Sequence, residues 1–170
     1  VRPEAPYVGT GLEYAIARDT AVLVSADADG EVIDTDSKTI TVKENSKKHV
    51  YQLQKYQRTN QNTCRNQSPI VYKGMKLKKG DVIADGAATS KGELSLGRNI
   101  LVGFMPWDGY NFEDAIVISK RLVKHDVFTS VHIHRYECDV RSTKLGPEEL
   151  TPEISNVSEE MLANLDEDGI

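Results

Sequence analysis

Long apolar runs are missing from this sequence. The longest, such as Ala21 to Val24 and Ile100 to Val102, fall far short of the ~20 residues that cross a bilayer, so no membrane segment is expected. Cysteine is scarce: Cys64 and Cys138 lie far apart with no Cys-x-x-Cys pair, which excludes a disulfide framework and a zinc-ribbon pattern and points to a reducing compartment. Aromatics are few, at 6% of residues, and the apolar share of 39% is below that of an ordinary globular domain, so any core should be shallow or shared. The chain opens Val1-Arg2-Pro3-Glu4, with neither Met nor an apolar leader. It therefore reads as a piece of something longer, and secretion is not expected. At 170 residues, one ordinary domain or two small ones can form.

Charge is present but unevenly placed. The net charge is −5, yet from Leu145 onward there are eight acidic residues and no Lys or Arg. The other 18 acids of the total 26 face all 21 bases, which leaves residues 1–144 at +3. A mildly basic body is compatible with a polyanion without arguing for one unaided.

Short β-favouring runs alternate with turn clusters over residues 20–56: Ala21 to Ala26, Glu31 to Thr35, Thr39 to Glu44 and His49 to Tyr56, separated by Asp27-Ala28-Asp29-Gly30, Asp36-Ser37-Lys38 and Asn45 to Lys48. This spacing predicts an antiparallel meander, and Thr39-Ile40-Thr41-Val42 alternates as a strand wet on one face should. The amide-rich stretch from Gln57 to Ser68 predicts a loop held by side-chain bonds to backbone. A second β region follows, punctuated by Gly74, Gly80, Gly86, Gly92 and Gly97 and ending in Ile100 to Met105. In it, Gly74 to Gly86 predicts a strand–turn–strand hairpin like those of barrel-sandwich folds. A biotinyl or lipoyl carrier would place a modified lysine at such a tip, but Met75-Lys76-Leu77 lies in the wrong half of the hairpin. Beyond it, Ala115 to Ile118 are expected to be extended, Ser119 to cap a short helix through Lys124, and Val127 to Val140 to form one long strand. A tail helix is expected, with Asn156 and Glu159 as a capping box and Gly169 at its C-terminal end.

Three constellations could carry chemistry. The first is Phe104-Met105-Pro106-Trp107-Asp108-Gly109-Tyr110-Asn111-Phe112-Glu113-Asp114-Ala115-Ile116, a Gly-containing loop with aromatics able to pin it, projecting Glu113 and Asp114. On an extended backbone adjacent carboxylates face opposite ways and chelate one ion poorly. The bland alternative is a surface turn with two solvated acids. The second is the set of cations Arg58, Arg65, Lys73, Lys76, Lys78 and Lys79, which could neutralise phosphates or could form a solvated face. The third is His132, His134 and Cys138. With no fourth ligand nearby it reads as an exposed strand face, so no zinc is expected in this chain.

The Trp107 to Ile116 run closely resembles that of the bacterial-type RNA polymerase beta subunit, bacterial or plastid. Four further blocks resemble it in the same order: Val8 to Glu13, Tyr56 to Cys64, Gly80 to Gly86 and Thr143 to Glu149. Ser142 and Ser155 depart from the usual Asp and Pro at the last block's surroundings. The resemblance implies a mainly β fold with short helices, part of a double-psi β-barrel and barrel-sandwich region that is incomplete without the rest of its subunit. Residues 1–144 would form the hybrid-binding and barrel region, with an active-centre loop at 107–119, and 145–170 would begin the flap. It implies a segment of a multisubunit nucleotidyltransferase, not catalytic alone. Its partners would be the beta-prime, alpha, omega and sigma subunits, template DNA, the RNA–DNA hybrid and nucleoside triphosphates, in the bacterial cytoplasm or the plastid stroma. It also implies Mg²⁺ whose main ligands sit on beta-prime, with Glu113 and Asp114 as accessory residues near the second metal and the triphosphate, Glu113 acting on it through water. The competing reading is a structural scaffold or partner-docking module whose working surface is the acidic tail.

Overall fold

A computed structural model describes residues 1–44 and 47–170, and these divide into two compact units, Val1–His134 and Arg135–Ile170. The fold is mainly β, in several small antiparallel sheets with three short helices, and the described residues close no barrel.

The first unit begins with helix α1, Glu13–Asp19. Residue 13 folds its own carboxylate back over the preceding turn: it accepts from the backbone N–H of Thr10 at 2.7 Å, from that of Gly11 at 2.9 Å and from the Thr10 hydroxyl at 3.0 Å. These donors, the Thr10 amide first, hold the carboxyl down at about 2. Thr20 closes the helix by returning its hydroxyl to the Ile16 carbonyl at 2.8 Å. Sequence reasoning missed this helix, because no apolar stripe marks it: Ala17 is its one buried residue.

Strands β1 (Val24–Ser25), β2 (Gly30–Thr35), β3 (Thr39–Glu44) and β4 (Lys47–Gln52) follow. Of the expected meander, β2, β3 and β4 pair in order, whereas the first run yields only the short β1, which pairs with β9 in another sheet. Asp36 caps its first turn, accepting from the amides of Lys38 and Thr39 at 2.6 and 2.7 Å, and these two donors lower its pKa. The turn expected at Asn45 to Lys48 lies partly outside the described residues, at Asn45 and Ser46; Lys47 already belongs to β4. In β3 the alternation holds, with Ile40 and Val42 fully buried between half-exposed threonines. The register sets Ile40 beside Tyr51 and Val42 beside Val32, so β-branched side chains from adjacent strands meet on one face.

The 57–68 segment is more ordered than a loop. Strands β5 (Gln57–Arg58) and β6 (Cys64–Arg65) pair as a ribbon. Downstream lie β7 (Ser68–Pro69), β8 (Lys76–Leu77), β9 (Val82–Asp85), β10 (Thr89–Ser90) and β11 (Glu93–Leu94). The hairpin expected between β8 and β9 does not form. Strand β8 instead extends the meander as β4-β3-β2-β8, while β9 is the centre of a second sheet, β1-β9-β7. The reason is visible at the intervening turn. Its Gly80 N–H donates to Ala26, Lys79 N–H donates to the Asp29 carboxylate at 2.7 Å, and Ala26 N–H donates to Asp81. The turn docks on the β1–β2 connection and splits its two strands between sheets. Ala26, Val32, Ile40, Val42, Leu77, Ile83 and Ala84 form the core beneath both.

Past Leu96, Val127 alone among the apolar residues is buried. Helix α2, Lys120–Lys124, forms where expected, with the Ser119 hydroxyl accepting from the Arg121 amide. Neither Ala115 to Ile118 nor Val127 to Val140 is a strand. Among the described residues, the latter contributes an isolated bridge from His132 to Thr63, and Ile133 N–H reaches the Asn62 carbonyl at 2.9 Å. Alternation in sequence makes a strand only where a partner edge is offered, and here the β5–β6 turn offers room for one residue pair.

In the second unit, β12 (Ser142–Thr143) and β13 (Gly146–Pro147) form a ribbon and α3 spans Glu159–Leu162. The expected capping box is absent. Asn156 has φ 71°, outside the extended conformation an N-cap requires; Ser158 is the N-cap and makes no side-chain cap bond. The helix ends at Ala163, well before Gly169, whose N–H closes a turn on Asp166.

Candidate functional site

The acidic loop is built from three successive turns. Asp108 and Gly109 have φ 47° and 79°, and Tyr110 N–H returns to the Trp107 carbonyl at 2.9 Å. Positive φ at both central residues is what a type I′ turn demands, and Asp-Gly is the pair that tolerates it best. Phe112 N–H then reaches the Gly109 carbonyl at 3.2 Å, and Ala115 N–H reaches that of Phe112 at 3.3 Å.

Glu113 is not extended: its φ is 58°. The expectation that Glu113 and Asp114 alternate on an extended backbone therefore fails locally. Glu113 is one of nine described non-glycine residues with positive φ, a conformation that costs an L residue about 1–2 kcal/mol. Both carboxylates are exposed. The aromatics do not pin the loop as the sequence suggested, since Trp107, Tyr110 and Phe112 are 53%, 75% and 75% exposed. The clamp is Asn111, whose Oδ1 accepts from Trp107 N–H at 2.9 Å and whose Nδ2 donates to the Met105 carbonyl at 2.7 Å. An Asn within four residues of a turn amide is the sequence signal that would have found it.

The six candidate cations are all exposed. Arg58 and Arg65 share the β5–β6 ribbon, where Arg58 Nε donates to Asn62 Oδ1 at 2.8 Å. Arg65 borders a small cleft with Gln54, Asn66 and Gln67, in which the Asn66 Oδ1 is buried without a hydrogen-bond partner among the described residues. Lys73, Lys76, Lys78 and Lys79 follow the course of β8. Lys76 sits opposite Glu31 in the β2–β8 ladder and not at a tip, so the geometry of a carrier lysine is lacking. His132 Nε2 lies 2.9 Å from the Ser130 hydroxyl, and Cys138 is exposed and unpaired with Cys64. Among the described residues no three His, Cys, Asp or Glu side chains gather as a metal site, and no helix is long and apolar enough to cross a membrane.

Small antiparallel sheets that carry one exposed, internally clamped acidic turn define a β platform and not an enclosed catalytic pocket. The family described as RNA polymerase Rpb2, domain 6, matches residues 25–170. Proteins named DNA-directed RNA polymerase subunit beta are similar throughout. That of Synechococcus elongatus is 56% identical across 100% of this chain and 16% of its own length, and that of Thermosynechococcus vestitus is 57% identical across 100% and 15%. The Caldicellulosiruptor bescii protein is 56% identical across 98% of this chain and 14% of its own length. The chain belongs to the RNA polymerase Rpb2 domain 6 family. It spans about a sixth of the length of the first two relatives.

Proposed function

We propose that this chain works as part of a DNA-directed RNA polymerase, shaping the nucleotide-addition site and the channel of the RNA–DNA hybrid. The observation that carries this reading is the clamped turn that presents Glu113 at φ 58° to solvent, within a chain whose relatives are named as polymerase beta subunits. Residues 1–144 contribute the hybrid-binding and barrel region and 145–170 the start of the flap. The partners are the beta-prime, alpha, omega and sigma subunits, template DNA, the hybrid and nucleoside triphosphates, in the bacterial cytoplasm or the plastid stroma.

The residues present do not fit a Mg²⁺ cage. Glu113 and Asp114 are two adjacent exposed carboxylates with no third ligand among the described residues, and Mg²⁺ demands near-octahedral coordination. The resemblance to the polymerase beta subunit implies that the main ligands sit on beta-prime. Metal ions held there would supply activation of the RNA 3′ hydroxyl and charge stabilisation of the triphosphate. Glu113 would offer fixed negative charge to a hydrated cation, and Asp114 would add to the same field. The cations Arg58, Arg65, Lys73, Lys76, Lys78 and Lys79 are candidates for contacts with the hybrid's phosphates, where they would add affinity without base specificity.

The test is Glu113→Ala in the full-length subunit, reconstituted with the remaining subunits. Normal assembly with a nucleotide-incorporation rate down by about tenfold or more, or roughly 1.4 kcal/mol of barrier, is expected. A scaffold or docking role is favoured by the exposed apolar run, with Leu101 and Phe104 almost fully in solvent. Unchanged incorporation and triphosphate affinity in Glu113→Ala would establish that role and remove the first.

A further inference from the structure

We infer that Asn111 is the positioning residue of the acidic loop: its side-chain amide, bridging Met105 and Trp107, sets the backbone from which Glu113 is presented. The inference rests on the role proposed for Glu113 and extends it to a residue that makes no contact with substrate.

Three observations converge on Asn111. Among residues 101–120 it alone is not exposed. Every apolar side chain of the loop that could have anchored it by burial stands in solvent, including Phe104, Trp107, Tyr110 and Phe112. Of the side-chain hydrogen bonds within residues 104–114, both belong to Asn111, one as acceptor and one as donor, at 2.9 and 2.7 Å. Together they tie the entry of the loop to the residue two positions before Glu113. The remaining bonds are short-range backbone turns, from Tyr110 to Trp107, from Phe112 to Gly109 and, across Glu113 and Asp114, from Ala115 to Phe112. These constrain neighbours but do not bind the loop to its own stem.

The left-handed Glu113 makes this clamp consequential. A residue at φ 58° lies in a narrow well, and relaxing the preceding residues lets it return to the broad extended region. Extended backbone at this position would redirect the carboxylate relative to Asp114. Loss of the clamp thus degrades the geometry of Glu113 without removing any charge. The amide is also the one side chain of this length that can accept from an N–H and donate to a carbonyl at once. Asp at this position keeps the acceptor for Trp107 but sets a carboxylate oxygen against the Met105 carbonyl. Ala removes both bonds.

The experiment uses the full-length subunit assembled into the polymerase, with Asn111→Ala, Asn111→Asp, Glu113→Ala and the Asn111→Ala/Glu113→Ala double variant. Two quantities are measured: nucleotide-incorporation rate against triphosphate concentration, and hydrogen exchange of the Trp107 amide. Asn111→Ala is expected to speed Trp107 exchange about fivefold or more and to depress incorporation in the same kinetic parameter that Glu113→Ala depresses. Asn111→Asp should retain much of the Trp107 protection and an intermediate rate. The double variant should be no slower than Glu113→Ala, because the clamp acts only through the carboxylate. Additive losses in the double variant, or a normal rate in Asn111→Ala beside a depressed one in Glu113→Ala, overturn the inference. If Asn111→Ala fails to assemble, Asn111→Asp supplies the same comparison. A normal rate in Glu113→Ala removes the role proposed for Glu113, and the exchange measurement keeps the two failures apart. Unaltered Trp107 exchange in Asn111→Ala overturns the positioning inference whatever the rates.

Discussion

Replacing Gly86 with Ala tests whether the β1-β9-β7 sheet is assembled as described. Gly86 lies just past β9, and a Cβ built on it would fall on the carbonyl and Cγ1 of Val22. That carbonyl has little freedom to yield, because it accepts from Gln67 Nε2 at 3.2 Å, and Gln67 is itself buried and holds Gln54 N–H at 2.9 Å. Relief requires either breaking the Gln67 bond or lifting the segment before β1 away from β9. Overpacking of this kind costs about 1–3 kcal/mol, and losing the hydrogen bond adds about 1. Against this stands a gain of about 0.4–1 kcal/mol from reduced freedom of the unfolded chain. A net loss of about 2 kcal/mol corresponds to roughly thirtyfold faster exchange of the β9 amides. Hydrogen exchange of Val82–Asp85 in the full-length subunit reads this locally. Gly97→Ala is the control, since nothing lies within 4 Å of its added Cβ, and it should leave exchange within about 0.5 kcal/mol of the parent. Equal behaviour of the two variants would refute the close approach of Val22 to β9.

Two other perturbations address single groups. Glu13 titrates in the folded chain at about 2, below the ordinary 4.5, so its contribution to the α1 turn is fully present above pH 4.5 and is lost as pH falls toward 2. A carboxyl-detected NMR titration with a Glu13 midpoint at 4 or above would contradict the three-donor cap. Tyr51 accepts from Asp27 N–H at 3.0 Å and donates to Glu44 at 3.1 Å, and burial, with the Glu44 bond and the charges of Asp27 and Glu44, raises its pKa. Tyr51→Phe should cost about 0.5–1.5 kcal/mol and speed exchange of the Asp27 amide selectively; uniform exchange across β3 and β4 would count against that bond.

Local chemistry was readable residue by residue. The bounds of β3, the Asp36 turn and the Ser119 cap follow from side chains acting within four positions of themselves, so neighbours in sequence suffice to predict them. The Asp108–Gly109 turn is of the same kind. Helix α1 was hidden because its start depends on a carboxylate folding back onto Thr10 and Gly11 and it buries a single Ala. The acidic loop was recognisable as a candidate, but its clamp was credited to aromatics, since composition cannot distinguish a ring that is buried from one left in solvent.

The sequence by itself determined that the chain is β-rich, that its acidity collects at the C-terminal end, and that a turn carrying two carboxylates follows Trp107. Only the tertiary structure decided that β8 and β9 part company into different sheets, that residues 127–140 meet the β5–β6 turn through an isolated bridge from His132 to Thr63, and that Glu113 takes a left-handed backbone. Strand pairing and loop clamping depend on which distant edge or carbonyl is offered in space, and period-two alternation carries no record of that partner.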